Sequence, residues 1–203
     1  MEDILRELFI TSWLEALAFV LSLLYLILAT AKIRLCWIAG GIGSAIYIYL
    51  FVGAKFYMDA WLNAYYVAMA VYGWRVWSGN EDEEIVFKVT FLKLWQHLFA
   101  IICLGVLVLG CGFYLDGWTE AEMPYLDSFT TLFALFATFL TARRVYENWF
   151  YWLVVDAVAA WMYWQKGLMW TCLLMIIYEF LILYGMYSWW RAHKAEKNGG
   201  VAL

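Results

Sequence analysis

Seven apolar runs, each long enough to cross a bilayer, account for most of the chain: Ser12–Ala31, Cys36–Val52, Phe56–Trp77, Phe91–Cys111, Leu126–Ala142, Asn148–Trp164 and Leu168–Trp190. A helical span needs about 20 predominantly apolar residues. The runs do not alternate apolar with polar as barrel strands do, so the backbone is expected to pair within helices. With 67% hydrophobic and only 15% charged residues, the chain holds more apolar surface than a soluble fold of its size can hide. Soluble domains average about 45–50% apolar and about 25% charged residues. A single proline, Pro124, leaves the helices uninterrupted. The expected fold is therefore an all-α integral membrane domain over residues 1–203 with seven transmembrane helices. The stretch Met1 to Phe9 lacks the basic region that opens a secretory signal, so the first run is expected to be a retained helix. Cys36, Cys103, Cys111 and Cys172 show no CxxC spacing and read as small apolar residues with free thiols.

The two flanking halves repeat. Trp37 and Trp149 stand 112 positions apart, and the same offset pairs Ala45 with Ala157, Leu62 with Leu174, Tyr66 with Tyr178, Tyr72-Gly73 with Tyr184-Gly185, and Trp77 with Trp189. It also sets Glu15 on Asp127 and Lys32 on Arg144. Chance identities would scatter over many offsets. Residues 12–78 are thus read as repeat 1, residues 126–190 as repeat 2, and residues 91–111 as a linker helix between them. Three helices plus one linker restore the starting orientation, so the repeats are parallel (3+1+3), an arrangement transporters use with the substrate near mid-membrane. Two acidic connectors, Ser78–Lys88 with Glu81-Asp82-Glu83-Glu84 and Leu115–Tyr125 with Gly117 and Pro124, bracket the linker.

Mid-membrane charge marks the candidate site. Trp149, Trp152 and Asp156 fall at i, i+3 and i+7 on one helical face of the stretch Glu147-Asn148-Trp149-Phe150-Tyr151-Trp152-Leu153-Val154-Val155-Asp156. A carboxylate at such depth costs roughly 2.5–3.5 kcal/mol on insertion scales and faces the bundle interior or a cavity. A structural hydrogen bond to a neighbouring helix is the competing role. Glu179, beside Tyr178, is the second costly group, and its repeat mate is Val67, so only one half carries it. Asp59, Asn63 and Tyr66 share a face of the third run, Asp59 being near the helix start where an anion can cap. Gln96 and His97 open the fourth run and read as interfacial or packing residues. Gly40, Gly41, Gly43 and Ser44 read as close-packing positions. An acid among aromatic rings points to an organic cation with a ring.

Several classes are excluded by absent motifs. There is no GxxxxGK[ST] phosphate loop and no HExxH, and the only histidines are His97 and His193. No lysine stands in mid-helix 7 to hold a retinal. Neither catalytic nor metal-ligating residues are expected, nor a cofactor, nor a nucleic-acid partner.

The run Leu126-Asp127-Ser128, then Thr141-Ala142-Arg143-Arg144-Val145-Tyr146-Glu147-Asn148-Trp149 with Trp152 and Asp156, resembles the PnuC family of bacterial vitamin transporters. So do Lys166-Gly167-Leu168 and the Tyr-Gly pairs at Tyr72-Gly73-Trp74 and Tyr184-Gly185. The resemblance implies a fold distantly like that of the SWEET sugar transporters, a homotrimer in the bacterial inner membrane, and facilitated diffusion with the solute trapped by a cytoplasmic kinase. It implies substrate contacts from Trp152 to Asp156 and from the third and seventh helices. The substrate site is thus expected to comprise Asn63, Tyr66, Asn148, Trp149, Trp152, Asp156, Tyr178 and Glu179. Members divide among nicotinamide riboside, thiamine and riboflavin. The first two are ring cations and match the acid-plus-aromatic pattern, whereas neutral riboflavin matches it less. Where the family has an apolar residue or Thr, this chain has Glu179, and one carboxylate can pair the ring nitrogen and amino group of an aminopyrimidine. Thiamine is the expected substrate, with a nicotinamide riboside uniporter of the same fold and a proton-coupled vitamin transporter as alternatives.

Lys and Arg set the orientation. Arg6, Lys55 and Lys166 lie on the side of the amino terminus, against Lys32, Arg34, Arg75, Lys88, Lys93, Arg143, Arg144, Arg191, Lys194 and Lys197 on the other. The amino terminus is expected outside and the carboxyl terminus in the cytoplasm. Reporter fusions check this: a fluorescent protein fused after Leu203 is expected to fold and fluoresce, and alkaline phosphatase at the same site to stay inactive.

Overall fold

Helices follow wherever the sequence offers an apolar run. In the computed structural model, which describes residues 2–53, 57–78, 87–119, 122–167 and 169–198, they are α1 (Glu2–Thr30), α2 (Cys36–Gly53), α3 (Tyr57–Ser78), α4 (Leu94–Trp118), α5 (Pro124–Ala142), α6 (Asn148–Gln165) and α7 (Met169–Lys197). The acidic run Glu81-Asp82-Glu83-Glu84, Lys55, Phe56 and Leu168 lie outside the described residues, as do the side chains of residues 2–12, Arg6 among them. Among the described residues five helices, all but α3 and α6, are long and apolar enough to cross a membrane. The two that fall short carry Asp59, Asn63 and Arg75, and Asn148 and Asp156. The polar residues that lower their apolarity include candidate site residues.

Some helix ends differ from the sequence expectation. The linker helix spans Leu94–Trp118 instead of 91–111. Residues 91–93 stay out of it because the strand-like stretch before them pairs with another turn, in an isolated β-bridge between Thr90 and Val145. At its far end the helix absorbs the first half of the expected connector, whose residues 112–118 are apolar but for Asp116. α1 begins at Glu2 and α7 runs on to Lys197, because charged residues continue a helix once it leaves the lipid.

The packing falls into two units, residues 1–87 and 88–203. In the first, α1 packs on α2 and α2 on α3; in the second, α4 packs on α5, α5 on α6 and α6 on α7. The second holds a core of Phe133, Ala134, Ala137, Leu140, Val145, Tyr151 and Val155. Outward faces are apolar: of the residues of α4 only Gly112 is buried, and Leu94, Phe99, Ile102, Val106, Leu109 and Phe113 are exposed. Such a surface needs lipid as its solvent.

Local geometry recurs at the 112-residue offset. In the first unit Trp37 meets Trp77 edge to face, with centroids 5.5 Å apart at 88°, and lies flush on Gly73, where a Cβ would run into its ring. In the second, Trp149 meets Trp189 at 5.3 Å and 86°, and a Cβ at Gly185 would stand 2.5 Å from the Trp149 ring. The turns that precede these tryptophans also match. Among the described residues, Lys32 (φ 63°) and Arg144 (φ 57°) are the non-glycine residues with left-handed backbone. Around Lys32 the bonds run from Ile33 N–H to Leu28 O (2.9 Å) and from Lys32 N–H to Ala29 O (3.1 Å). Around Arg144 they run from Val145 N–H to Leu140 O and from Arg144 N–H to Thr141 O, both 3.0 Å. This paired pattern is the Schellman closure of a helix, usually made by glycine. A basic side chain there offsets part of the left-handed cost by facing the negative end of the helix dipole.

Adding one methyl at either tryptophan seat should overpack it. Gly73→Ala and Gly185→Ala are each expected to cost about 1–3 kcal/mol, read as a lower melting temperature in detergent. Gly53→Ala, with nothing within 4 Å of the new Cβ, is expected to leave it unchanged.

Candidate functional site

The turn between α5 and α6 fixes how α6 enters the bundle. Asn148, fully buried, donates from Nδ2 to Val145 O at 2.6 Å. Its Oδ1 accepts from the Thr141 hydroxyl at 3.1 Å, a hydroxyl also 2.9 Å from Ala137 O. The Thr141 hydroxyl oxygen in turn accepts from Trp152 Nε1 at 3.3 Å. One threonine thus ties the first residue of α6 to the indole one turn on. Burial lowers the pKa of the neighbouring Arg144 guanidinium from its ordinary value.

From that entry α6 turns two faces inward. Tyr151 and Val155 enter the α5 core, and Trp149 packs on Gly185 and Trp189 of α7. Asp156, at 9% exposure, lies two turns beyond Trp149 and within electrostatic range of Glu179 on α7. Both Glu179 carboxylate oxygens are buried with no hydrogen-bond partner. No Lys or Arg occurs between Arg144 and Lys166, or between Lys166 and Arg191, so α6 and α7 supply no counter-ion at this depth. Two carboxylates within electrostatic range in an apolar interior repel, and an ionised one buried without a partner costs several kcal/mol. Such a pair is suited to receive a cation.

The expected site residues divide on inspection. Trp152, Asp156, Tyr178 and Glu179 are partly or largely buried on α6 and α7, the two carboxyl groups within electrostatic range of each other. Asn148 and Trp149 lie in the same unit but inside its packing, at 0% and 1% exposure, and shape the site from behind. Asn63 and Tyr66 belong to the other unit. The Asn63 amide donates to Asp59 O of its own helix at 2.8 Å, and Tyr66 packs edge-on to Tyr65 at 6.0 Å. Thr141 was missed, because nothing in local spacing shows that a residue of α5 reaches across a turn to orient two side chains of α6. A shallow groove of about 260 Å³ lies elsewhere, lined by Tyr146, Met186, Tyr187 and Trp190. It includes none of the expected residues, and the unpartnered carboxylate is the stronger guide to a ligand.

Comparison with known proteins adds the following. The family model described as nicotinamide mononucleotide transporter matches residues 12–191. The nicotinamide riboside transporter PnuC of Escherichia coli (strain K12) is 23% identical, over 95% of this chain and 90% of its own length. The riboflavin/roseoflavin transporter RibM of Streptomyces davaonensis is 27% identical, over 67% of this chain and 65% of its own. The crystal structure of the vitamin B3 transporter PnuC superposes with a TM-score of 0.70 at 22% identity, covering 90% of this chain and 83% of the other. That likeness shows a shared fold.

Asn148 and Asp156 should respond oppositely to neutral substitution. Asn148→Ala strands the groups it pairs and is expected to cost about 1–3 kcal/mol. Asp156→Asn removes a buried repulsion and is expected to hold or raise the melting temperature. Thermal unfolding of both variants in detergent reads the difference.

Proposed function

Because the chain belongs to the nicotinamide mononucleotide transporter (PnuC) family, and is a multi-pass membrane transporter and not an enzyme, we propose that it admits a cationic, ring-bearing vitamin by facilitated diffusion, with thiamine as its substrate. The observation that carries this reading is the Asp156 and Glu179 pair, which feel each other electrostatically and find no Lys or Arg at that depth on α6 or α7, with both Glu179 oxygens buried and unpartnered. A carboxylate with both oxygens unpartnered suits a donor that offers two parallel N–H groups, as a protonated aminopyrimidine does. The positive ring of the same solute can rest on Trp152 or Tyr178, a contact of about 0.5–2 kcal/mol.

Supporting helices fit a carrier. The two sets of three, residues 12–78 and 126–190, share their tryptophan seats and Schellman turns, in keeping with parallel repeats that rock about a central site. With no energy source the carrier equilibrates its solute, and a cytoplasmic kinase that phosphorylates the vitamin would drive net uptake. The reading includes a bacterial inner-membrane location, a cytoplasmic carboxyl terminus and a homotrimer.

Nicotinamide riboside is the second reading, favoured by the name of the E. coli relative; it too is a ring cation, but its amide and hydroxyls do not call for Glu179. A proton-coupled mechanism would use Asp156 and Glu179 as proton carriers, and an imposed pH gradient would then drive uptake above equilibrium.

Titration calorimetry on purified protein, with thiamine and nicotinamide riboside in parallel, tests the choice. Thiamine is expected to bind, and Glu179→Gln to weaken it about 10- to 100-fold, as for loss of a charge-assisted pair. Thiamine counterflow in liposomes should fall in step. Binding of nicotinamide riboside with no thiamine signal would overturn the substrate and leave the transporter standing.

A further inference from the structure

The lead-in to α4 is fastened to the entry of α6 by a dense set of polar contacts. Thr90 N–H donates to Arg144 O, and Tyr146 N–H donates to Thr90 O, each at 2.9 Å. The Thr90 hydroxyl reaches Arg143 O at 3.2 Å and Arg144 O at 3.3 Å. Leu92 N–H donates to Glu147 Oε2 at 3.3 Å, and the other oxygen of Glu147 lies 3.7 Å from His97 Nε2. The far nitrogen of that ring, Nδ1, shares a 2.8 Å hydrogen bond with the Tyr151 hydroxyl. His97 therefore bridges two residues of one short stretch, one turn apart. At the other end of α4, Gly112 is its single buried residue and lies against the Tyr125 ring of α5. The helix is held at both ends and exposes apolar side chains along most of its length.

The repeat shows that these contacts are specific to the second half. Subtracting the 112-residue offset takes Val145, Glu147 and Tyr151 to Ile33, Leu35 and Ala39. The backbone turn is the same in both halves, yet the first half presents no side chain that could hold a linker. Glu147 and Tyr151 are polar where their mates are apolar, and the difference is spent on α4.

From this we infer that His97, Glu147 and Tyr151 form a clasp that makes α4 one moving body with α5, α6 and α7. They are positioning residues for that bundle and not ligands of the solute. The inference rests on reading the chain as an alternating-access carrier. In such a cycle the clasp stays closed in every state.

The test combines hydrogen exchange with transport. In the unmodified protein, peptides covering residues 88–93 and 143–148 are expected to exchange equally slowly with and without saturating thiamine or nicotinamide riboside. In Glu147→Leu, which installs the residue of the first repeat, exchange over residues 88–93 is expected to rise about tenfold, the effect of losing one hydrogen bond to a charged group. Counterflow should slow about tenfold while Kd stays within about twofold, because the site itself is untouched. Glu147→Gln keeps the acceptor for Leu92 N–H and is expected to restore most of the rate. Should Glu147→Leu fail to fold, Tyr151→Phe removes only the hydroxyl partner of His97 and is expected to slow counterflow with Kd unchanged. Faster exchange over residues 88–93 when the vitamin binds would overturn the proposal, as would normal counterflow in a folded Glu147→Leu or Tyr151→Phe. If neither vitamin moves through the unmodified protein, the transport reading fails instead, and the clasp is still judged by exchange in Glu147→Leu.

Discussion

No water is present in the hydrocarbon core to pair with a stray polar group, and this one constraint organises the structure. Backbone groups are answered inside helices. Hydroxyls are answered by their own helix: Ser22 by Ala18 O at 2.9 Å, Ser128 by Pro124 O at 2.8 Å and Thr138 by Ala134 O at 2.8 Å. Apart from these closed accounts, a few buried atoms are left open, among them the two oxygens of Glu179 and the indole nitrogens of Trp37 and Trp149. The indole nitrogens are neutral and sit in packed seats that the aromatic contacts stabilise. A carboxyl group offers two oxygens that strongly demand partners, and no packing contact supplies them. That difference separates a tolerated defect from a candidate site.

The internal repeat explains both what the halves share and where they part. The shared features are geometric: a left-handed basic residue closing a helix, a tryptophan laid on a glycine, and a second tryptophan edge-on to the first. Each needs a particular residue at a particular position, so each leaves identities at one offset. The features that part the halves are polar: Asp156, Glu179, Glu147 and Tyr151 have the apolar mates Ser44 excepted, namely Val67, Leu35 and Ala39. The packing geometry recurs at the 112-residue offset while these polar groups do not, and Glu147 and Tyr151 hold α4 through Leu92 and His97.

Much of the fold was legible because its signals are long. A run of apolar residues is read over many positions, and an error at either end does not cancel it. The ends were less legible. Residues 91–93 are apolar enough to continue a helix, but Thr90 pairs with the turn after α5, and no local pattern announces a partner more than fifty residues away. Within the site, Asp156 and Glu179 stood out through their cost in lipid. Asn148 and Trp149 stood out through their motif, which records that a residue matters without saying which way it faces; both are buried, at 0% and 1% exposure. Thr141 and the His97 contact to Tyr151 gave no signal, because both join separate helices.

Composition and periodicity alone determined that the chain is an all-α membrane protein of seven helices, that identities recur at one offset, and that carboxylates interrupt its apolar runs. Those properties depend on the solvent and on contacts within a few residues, which a linear string records directly. Only the tertiary structure decided which polar groups find partners. It placed Asp156 near Glu179 with no counter-ion from either helix, spent the Asn63 amide on Asp59, and gave Glu147 to α4 and not to a solute. Such pairings depend on the rotation and approach of packed helices, and these are set by the whole surface each helix buries.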